Sequence, residues 1–204
     1  MYLITDYIDD PDIERSILGE PVSQDQKYQA NVLLVWHERI DESYVAKFDK
    51  LQGVVRYGVG YDNIDLEVLS KRAIVFCNTP DYGVDEVSDT AVGMILNISR
   101  GISVYDRKSR LLTGQRWQEE RISSLTRNSD QIIGVIGAGR IGGSVCRKLK
   151  AIGFQVVFYD PYVCSGHEKM LGVGRVESLA ELLSISDQVS IHAPLTRETR
   201  AMVD

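Results

Sequence analysis

The sequence lacks any apolar run that approaches the ~18 residues of a membrane-spanning helix. It also lacks an excess of positive charge, because 29 acidic residues against 23 basic ones leave a net charge of −6. Proteins that bind a nucleic-acid backbone usually carry a basic face. The amino terminus, MYLITDYIDD, is acidic and unlike a secretory signal. These absences argue against a nucleic-acid or membrane partner.

Cysteine is scarce: the chain has only Cys77, Cys146 and Cys164, and they show no CxxC spacing. An odd, unpatterned set excludes a disulfide framework and gives no indication of a zinc or other metal site. A reducing cytoplasm is the simplest expectation. The 204 residues, 44% apolar and 25% charged, allow one large or two small globular domains.

Apolar strands alternate with helices along the chain, which predicts parallel sheets buried on both faces. The first helix is expected to have Asp10 as its cap, Pro11 at its first helical position and an end at Gly19. Asp41 and Asp65 are expected to cap the next two helices. The strands predicted for this first lobe are YLIT, NVLLVW, GVVRYGVG and AIVFCN.

The segment VDEVSDTAVGMILNISRG gives the strongest helical signal. Glu86 and Asp89 fit the first turn of this helix, where its dipole favours negative charge. A second helix is predicted over about 103–113, ending at Gly114, and the polar stretch after it as a connection. We place the domain boundary near Arg100. The inner face of the long helix is predicted to carry Val87, Ala91, Met94, Ile95 and Ile98.

A GxGxxG pattern follows a predicted strand at 131–136. Its glycines are Gly137, Gly139 and Gly142, and a helix predicted to end at Gly153 comes next. The following strand, QVVFYD, ends at Asp160. GxGxxG alone is weak, but a strand before it, a helix after it and an acid ending the next strand are the context that a dinucleotide site requires.

Each residue of this pattern has a physical role. Gly137 permits a tight turn, Gly139 lets the backbone approach a pyrophosphate, and Gly142 lets the helix pack closely on the strand. The free N–H groups at the helix start would then hold the phosphates. Asp160 would accept hydrogen bonds from the adenosine ribose. Because Pro161 and Tyr162 come directly after Asp160, with no Arg or Lys, NAD is favoured over NADP. The alternative to a dinucleotide site is a glycine turn that packs without any nucleotide.

Four blocks in order, RYGVGYDNIDLEVLSKRAIVFCNTP, VSDTAVGMILNISRG, GVIGAGRIGGSVCRKLKAIGFQVVFYDPY and SIHAPLTRETRAMVD, resemble the NAD-dependent D-isomer-specific 2-hydroxyacid dehydrogenases. ILNISRG and GFQVVFYDPY are most similar to the subgroup that contains the C-terminal-binding-protein corepressors, which keep the fold and sense NAD(H). The resemblance implies an α/β protein with a flavodoxin-like substrate domain at 1–100 and an incomplete Rossmann, doubly wound NAD-binding domain at 101–204.

The resemblance also implies the site residues. The loop Gly58-Val59-Gly60 would offer N–H groups to the substrate carboxylate, with Val59 near the nicotinamide. Arg140 and Ile141 would cover the pyrophosphate. The loop at the end of the fourth strand would line the cofactor crevice with His192, Ala193 and Pro194.

His192 thus resembles the family's cofactor-lining histidine, not its proton-transfer histidine. A strand-end histidine without ligand contact is the alternative. His37 and His167 carry no spacing signal and are expected in loops. Arg39, the basic residue of VWHERI, leaves the substrate undecided.

The family's substrate-binding arginine and its histidine–carboxylate pair for proton transfer are expected downstream of Asp204, where the last matching block ends. No catalytic residue is therefore assigned in this chain. Only four of the six Rossmann strands are predicted, at 131–136, 155–159, about 173–176 and 188–191, so the last would be an apolar edge. We expect an amino-terminal part of a longer dehydrogenase that is inactive alone. The resemblance also implies a homodimer joined through the helices at about 86–113. Alternatives are an NAD(H)-sensing binding protein and a domain with a vestigial nucleotide site.

Overall fold

The structure is a computed structural model that describes residues 1–6, 8, 10–111 and 122–203. The chain divides into two compact units. The first unit comprises residues 1–82 together with 194–204, and the second unit comprises residues 83–193. In the described residues, no helix is both long enough and apolar enough to traverse a bilayer.

The first unit contains a parallel sheet of four strands in chain order, β1 (Tyr2–Ile4), β2 (Val32–Val35), β3 (Gly53–Arg56) and β4 (Val75–Asn78). Three helices connect them, α1 (Asp12–Leu18), α2 (Glu42–Val45) and α3 (Leu66–Lys71), with a 3-10 helix at Gln24–Gln29. A flavodoxin-like sheet has another strand outside β1. At that edge of β1, the described residues form one backbone hydrogen bond, from the Val22 N–H to the Tyr2 carbonyl (2.9 Å).

Helix starts in the first unit follow their capping residues, with one exception. Asp41 accepts a hydrogen bond from the Tyr44 N–H, and Asp65 accepts from two first-turn N–H groups, as predicted. The prediction for α1 was wrong, because the cap position is taken by Pro11 and not by Asp10. The helix α1 thus begins one residue later than expected, at Asp12, and no side chain caps it.

The second unit begins with α4 (Val84–Arg100) and α5 (Ile102–Leu111). A 3-10 helix at Asn128–Asp130 then leads into the sheet. Its strands run in parallel in the order β7-β6-β5-β8, which is the order of the first four strands of a Rossmann fold. β8 lies at the sheet edge with Ile191 52% exposed, as predicted. The elements are β5 (Ile132–Ile136), α6 (Arg140–Ile152), β6 (Gln155–Tyr159), α7 (His167–Leu171), β7 (Gly174–Arg175), α8 (Leu179–Ile185) and β8 (Gln188–Ile191).

The inner face of α4 differs from the predicted one. Val87, Met94 and Ile98 are 46%, 63% and 62% exposed, while Ile95 is buried as expected. The buried positions are Ser88, Val92, Ile95 and Ser99. Serines are short enough to let α4 approach α6 closely, and the Ser88 and Ser144 hydroxyl oxygens lie 3.2 Å apart. A pattern that counts only apolar residues therefore selects the wrong stripe.

Because α4 packs against α6, its contacts place it in the second unit, and the division falls at Tyr82–Gly83, whereas the sequence placed a boundary near Arg100. The assignment of 1–100 to substrate and 101–204 to NAD stays a prediction. The predicted helix end at Gly114 and the first part of the connection after it, through residue 121, lie outside the described residues.

Candidate cofactor-binding site

The turn between β5 and α6 requires glycine at two of its three motif positions. Gly137 has a φ of +85°, and a Cβ atom there would lie 2.9 Å from the backbone carbonyl of His192. A Cβ on Gly142 would overlap the carbonyl oxygen of Gly137. Backbone atoms cannot swing aside as side chains do, so these two glycines allow β5, α6 and the end of β8 to approach one another.

Gly139 has a different environment, because nothing lies within 4 Å of a Cβ built on it. It is the N-cap residue of α6, and no side chain caps that helix. The first-turn N–H groups of α6 are therefore bare toward solvent and suited to an anion. Arg140 is exposed beside this opening, and Ile141 is half-buried. The turn thus fits the pyrophosphate of a dinucleotide.

Asp160 follows β6 and is hydrogen-bonded to the glycine turn. Its Oδ2 accepts from the Ala138 N–H (2.8 Å), and its Oδ1 accepts from the Tyr162 N–H (2.9 Å). A carboxylate oxygen can accept more than one hydrogen bond, so both oxygens retain capacity for hydroxyl donors. The half-buried Asp160 side chain thus fits a sugar diol next to the anion-binding turn.

His192 closes the turn from the other side. Its N–H donates to the Ile136 carbonyl (2.7 Å), and its Nε2 lies 2.8 Å from the Ser190 hydroxyl oxygen. Burial lowers the pKa of the imidazole below its ordinary value of 6.5, so His192 is neutral at pH 7. Ala193 follows in the same unit, whereas Pro194 belongs to the first unit.

Another glycine turn, at Gly58–Gly60, follows β3 in the first unit. Asn78 donates from Nδ2 to the Val59 carbonyl (2.9 Å), and the Thr79 N–H donates to the Gly58 carbonyl (3.3 Å). Among the described residues, the N–H groups of Val59 and Gly60 have no hydrogen-bond partner. This turn is therefore suited to receive an anion on its backbone.

Arg56 is a neighbour of this turn that the sequence analysis quoted but did not assign. A Cβ on Gly58 would overlap its guanidinium, which also donates to the Tyr57 carbonyl (3.2 Å). The guanidinium lies 5.1 Å from the centre of the Trp36 ring, a cation–π distance. A charged residue ending an apolar strand, two positions before a glycine, was the available signal. Arg39, in contrast, is 82% exposed and pairs with Asp41.

The loop that carries Trp36 is fixed by Asp6. Asp6 Oδ2 accepts from the N–H groups of Trp36 (2.7 Å) and His37 (3.1 Å). Burial opposes the charged form of Asp6, yet these hydrogen bonds outweigh it and lower the pKa of the carboxyl. Asp6 therefore stabilises the position of the ring on which Arg56 stacks.

The two acidic candidates, Glu86 and Asp89, are exposed on α4. Asp89 forms an ion pair with Lys148 on α6 (2.6 Å), and Glu86 is exposed in the first turn of α4. His37 lies in a loop, as expected. The expectation for His167 was wrong, because it begins α7 and its Nε2 lies 2.8 Å from the Ala138 carbonyl oxygen. Within the described residues, no three His, Cys, Asp or Glu side chains form a metal-binding group.

A protein-family model described as the NAD binding domain of D-isomer specific 2-hydroxyacid dehydrogenases matches residues 92–204. The chain belongs to this family. The matched range contains the Gly137–Gly142 turn, Asp160 and His192, so the anion-binding turn lies in the family's NAD-binding domain. The predicted resemblance, the α/β class and NAD as cofactor are confirmed.

The chain is similar to two curated proteins and to one solved structure as follows. C-terminal-binding protein 1 of Caenorhabditis elegans is 31% identical over 86% of this chain and 25% of its own length. D-3-phosphoglycerate dehydrogenase of Mycobacterium bovis is 33% identical over 97% of this chain and 35% of its own. The structure of D-lactate dehydrogenase from Aquifex aeolicus with NAD and lactic acid has a TM-score of 0.79 and 26% identity, covering 97% of this chain and 62% of that one. The chain thus spans a quarter to about a third of its curated relatives.

The predicted residues fall into two groups. The described contacts bring together the glycine turn, Asp160 and His192, all in the second unit. Gly58, Val59, Gly60 and Pro194 belong to the first unit. The binding role of each residue stays a prediction.

The catalytic side chains form a separate case, because they are expected downstream of Asp204. Asp204 itself lies outside the residues that the structure describes. The described residues therefore do not test where the substrate-binding arginine and the histidine–carboxylate pair lie. Their position beyond Asp204 stays a prediction.

Proposed function

We propose that the protein transfers a hydride between NAD(H) and a 2-hydroxy or 2-oxo acid. The observation that carries this proposal is the turn at Gly137–Gly142, which two backbone contacts restrict to glycine while Gly139 leaves its backbone open. Asp160 lies hydrogen-bonded to the same turn (2.8 Å to the Ala138 nitrogen). This pairing of bare amides with an adjacent carboxylate is the chemistry that an adenosine diphosphate moiety requires.

In this proposal the chain's residues bind and orient. The first-turn N–H groups of α6 hold the pyrophosphate, which Arg140 and Ile141 cover, and Asp160 accepts hydrogen bonds from the adenosine ribose. His192, Ala193 and Pro194 line the cofactor crevice. NAD, when bound, supplies or takes the hydride.

For the acid substrate, we infer that the carboxylate binds at the Gly58–Gly60 turn. The unpaired N–H groups of Val59 and Gly60 and the Arg56 guanidinium present donors there. Trp36 holds the guanidinium by stacking, which supports a fixed cationic contact. No residue among the 204 is assigned to proton transfer, so turnover is proposed for a protein that also carries the histidine and its carboxylate partner, and this chain alone is expected to be inactive.

The test is NADH binding by fluorescence in Asp160→Ala. Losing hydrogen bonds to the ribose should weaken NADH by about 1–3 kcal/mol. Glu86→Ala, which removes an exposed carboxylate from the same unit, serves as the control and should bind NADH unchanged. Equal affinity of Asp160→Ala and the parent chain would contradict the assignment of the ribose.

The alternative is an NAD(H)-sensing binding protein, which the 31% identity to C-terminal-binding protein 1 favours. Glyoxylate, pyruvate and phosphohydroxypyruvate with NADH would separate the two functions. Turnover by the complete protein would support the enzyme. Turnover by these 204 residues alone would contradict the expectation that this chain is inactive without the histidine–carboxylate pair. Capture of a short apolar peptide only with NADH, without turnover, would favour sensing.

We also propose a cytoplasmic homodimer. The exposed side chains of Val87, Met94 and Ile98 form an apolar stripe on α4, within the predicted dimer segment 86–113. Met94→Glu should shift the mass in solution toward the monomer, as measured by light scattering. A parent chain that is monomeric at every concentration would overturn this part of the proposal.

A further inference from the structure

The loop between β6 and α7 carries Asp160, and two side chains of the second unit bind this loop or the glycine turn next to it. One is His167, at the start of α7, and the other is Arg175, in β7. Neither was assigned a role by the sequence, because neither follows a motif. Arg175, however, contacts the backbone of the loop that carries Asp160, and His167 contacts the glycine turn to which Asp160 is hydrogen-bonded.

His167 binds the glycine turn directly. Its Nε2 lies 2.8 Å from the Ala138 carbonyl oxygen, and a carbonyl only accepts, so Nε2 carries the hydrogen. The imidazole packs edge-on against the buried Phe158 ring, with 5.9 Å between ring centroids. Ala138 is thus bound through both polar groups, since its N–H donates to Asp160 and its carbonyl accepts from His167.

Arg175 binds the other side of the loop. Its Nη2 donates to the Asp160 carbonyl (3.3 Å), and its Nη1 donates to the carbonyls of Val163 (3.3 Å) and Cys164 (3.4 Å). The side chain is only 18% exposed. The carboxylate of Glu177, 3.8 Å from Nε, is itself 85% exposed. The guanidinium is therefore occupied by loop backbone, close to Asp160 but bound to its main chain.

These contacts bear on cofactor choice. A fixed carboxylate accepts hydrogen bonds from a ribose diol and repels a 2′-phosphate, and both effects weaken as the carboxylate moves away. A carboxylate on a loose loop could move away from that phosphate. Arg175, released from the loop carbonyls, would then be a cation beside it, and arginine binds phosphate well.

We propose that His167 and Arg175 are positioning residues that set the preference for NAD(H) over NADP(H) by fixing the loop that presents Asp160. The inference rests on the proposed role of Asp160 in binding the ribose. It assigns to these two residues no contact with the reacting atoms.

The test measures the affinities of the full chain for NADH and NADPH by fluorescence, with ADP-ribose as a competitor. Arg175→Met and His167→Leu should each lower the NADH-to-NADPH affinity ratio about fivefold, the order of the net contribution of one hydrogen bond. ADP-ribose affinity should fall with that of NADH, because the loop serves the adenosine half. Arg147→Met removes an exposed arginine from α6 and should leave the ratio unchanged.

Two conservative variants keep the test valid if Arg175→Met or His167→Leu fails to fold. His167→Gln retains an N–H donor of similar reach and should keep the parent ratio, while Arg175→Lys keeps the charge with fewer donors and should give an intermediate ratio. An unchanged ratio in a folded Arg175→Met or Arg175→Lys overturns the inference. No NADH binding by the parent chain, or full binding by Asp160→Ala, overturns the proposed function instead.

Discussion

Each unit of this chain carries a glycine turn after a central strand, and the two turns differ in what a methyl group would meet. In the turn at Gly137–Gly142, it would meet backbone, namely the Gly137 carbonyl and the His192 carbonyl. In the turn at Gly58–Gly60, a methyl group on Gly58 would meet the Arg56 guanidinium. Glycine in the second unit thus permits close approach of helix and strand, whereas in the first it makes room for a cation.

The largest expected effect is that of Gly142→Ala. The added methyl group overlaps the Gly137 carbonyl, so α6 must move away from the turn, at a cost of about 3 kcal/mol, the upper end for overpacking. Urea unfolding followed by circular dichroism measures this loss. A variant as stable as the parent would show that the turn yields, and the contrast between the two turns would fail.

A separation of binding from stability is expected in Gly139→Ala. Its φ of −70° suits alanine, and a methyl group there meets no atom within 4 Å, so stability should not change. The methyl group instead lies on the backbone that a pyrophosphate must approach, and NADH should bind about 1.5 kcal/mol more weakly through lost charge-assisted hydrogen bonds. Fluorescence titration checks this. Unchanged NADH affinity would mean that the phosphates lie elsewhere.

Gly58→Ala should lower the free energy of unfolding far less than Gly142→Ala. The overlapping atoms belong to the end of a flexible side chain, so Arg56 can rotate away, and we expect a loss within about 0.5–1 kcal/mol. The moved guanidinium should weaken substrate binding, which appears as a higher KM in the complete enzyme with little change in kcat. Arg56→Met should raise KM at least as much. A stability loss equal to that of Gly142→Ala would remove the distinction drawn above.

The sequence predicted the Gly137–Gly142 turn well because all its determinants are local. Strand, glycines, helix and Asp160 follow one another within 30 residues. The side chains that support this turn and the adjacent Asp160 loop were not predictable in this way. His167 reaches Ala138 across 29 positions, and Arg175 reaches Asp160 across 15, with no periodic signal.

The apolar stripe of α4 was misassigned for a different reason. Its packed face holds Ser88 and Ser99, whose hydroxyls are hydrogen-bonded to Ser144 and Gln131, and a hydrophobic pattern gives such positions no weight. A small polar side chain with a buried partner serves helix packing as well as an apolar one. Only the partner, which is distant in sequence, reveals this.

The smallest effect concerns pH and the strand end that closes the second turn. Burial lowers the folded-state pKa of His192 below 6.5, so the unfolded chain binds the proton more readily. The neutral imidazole therefore contributes stability above the unfolded pKa, and that stability is lost as pH falls through 6.5 toward the folded pKa.

His192→Gln should flatten this part of the pH dependence, compared by urea unfolding at about pH 7.5 and about pH 5.5. His37→Gln is the control, since His37 is exposed in the first unit. An equal slope in His192→Gln and the parent would show that protonation of His192 does not loosen the backbone against which Gly137 packs, and the second turn would then owe its rigidity to the glycines alone.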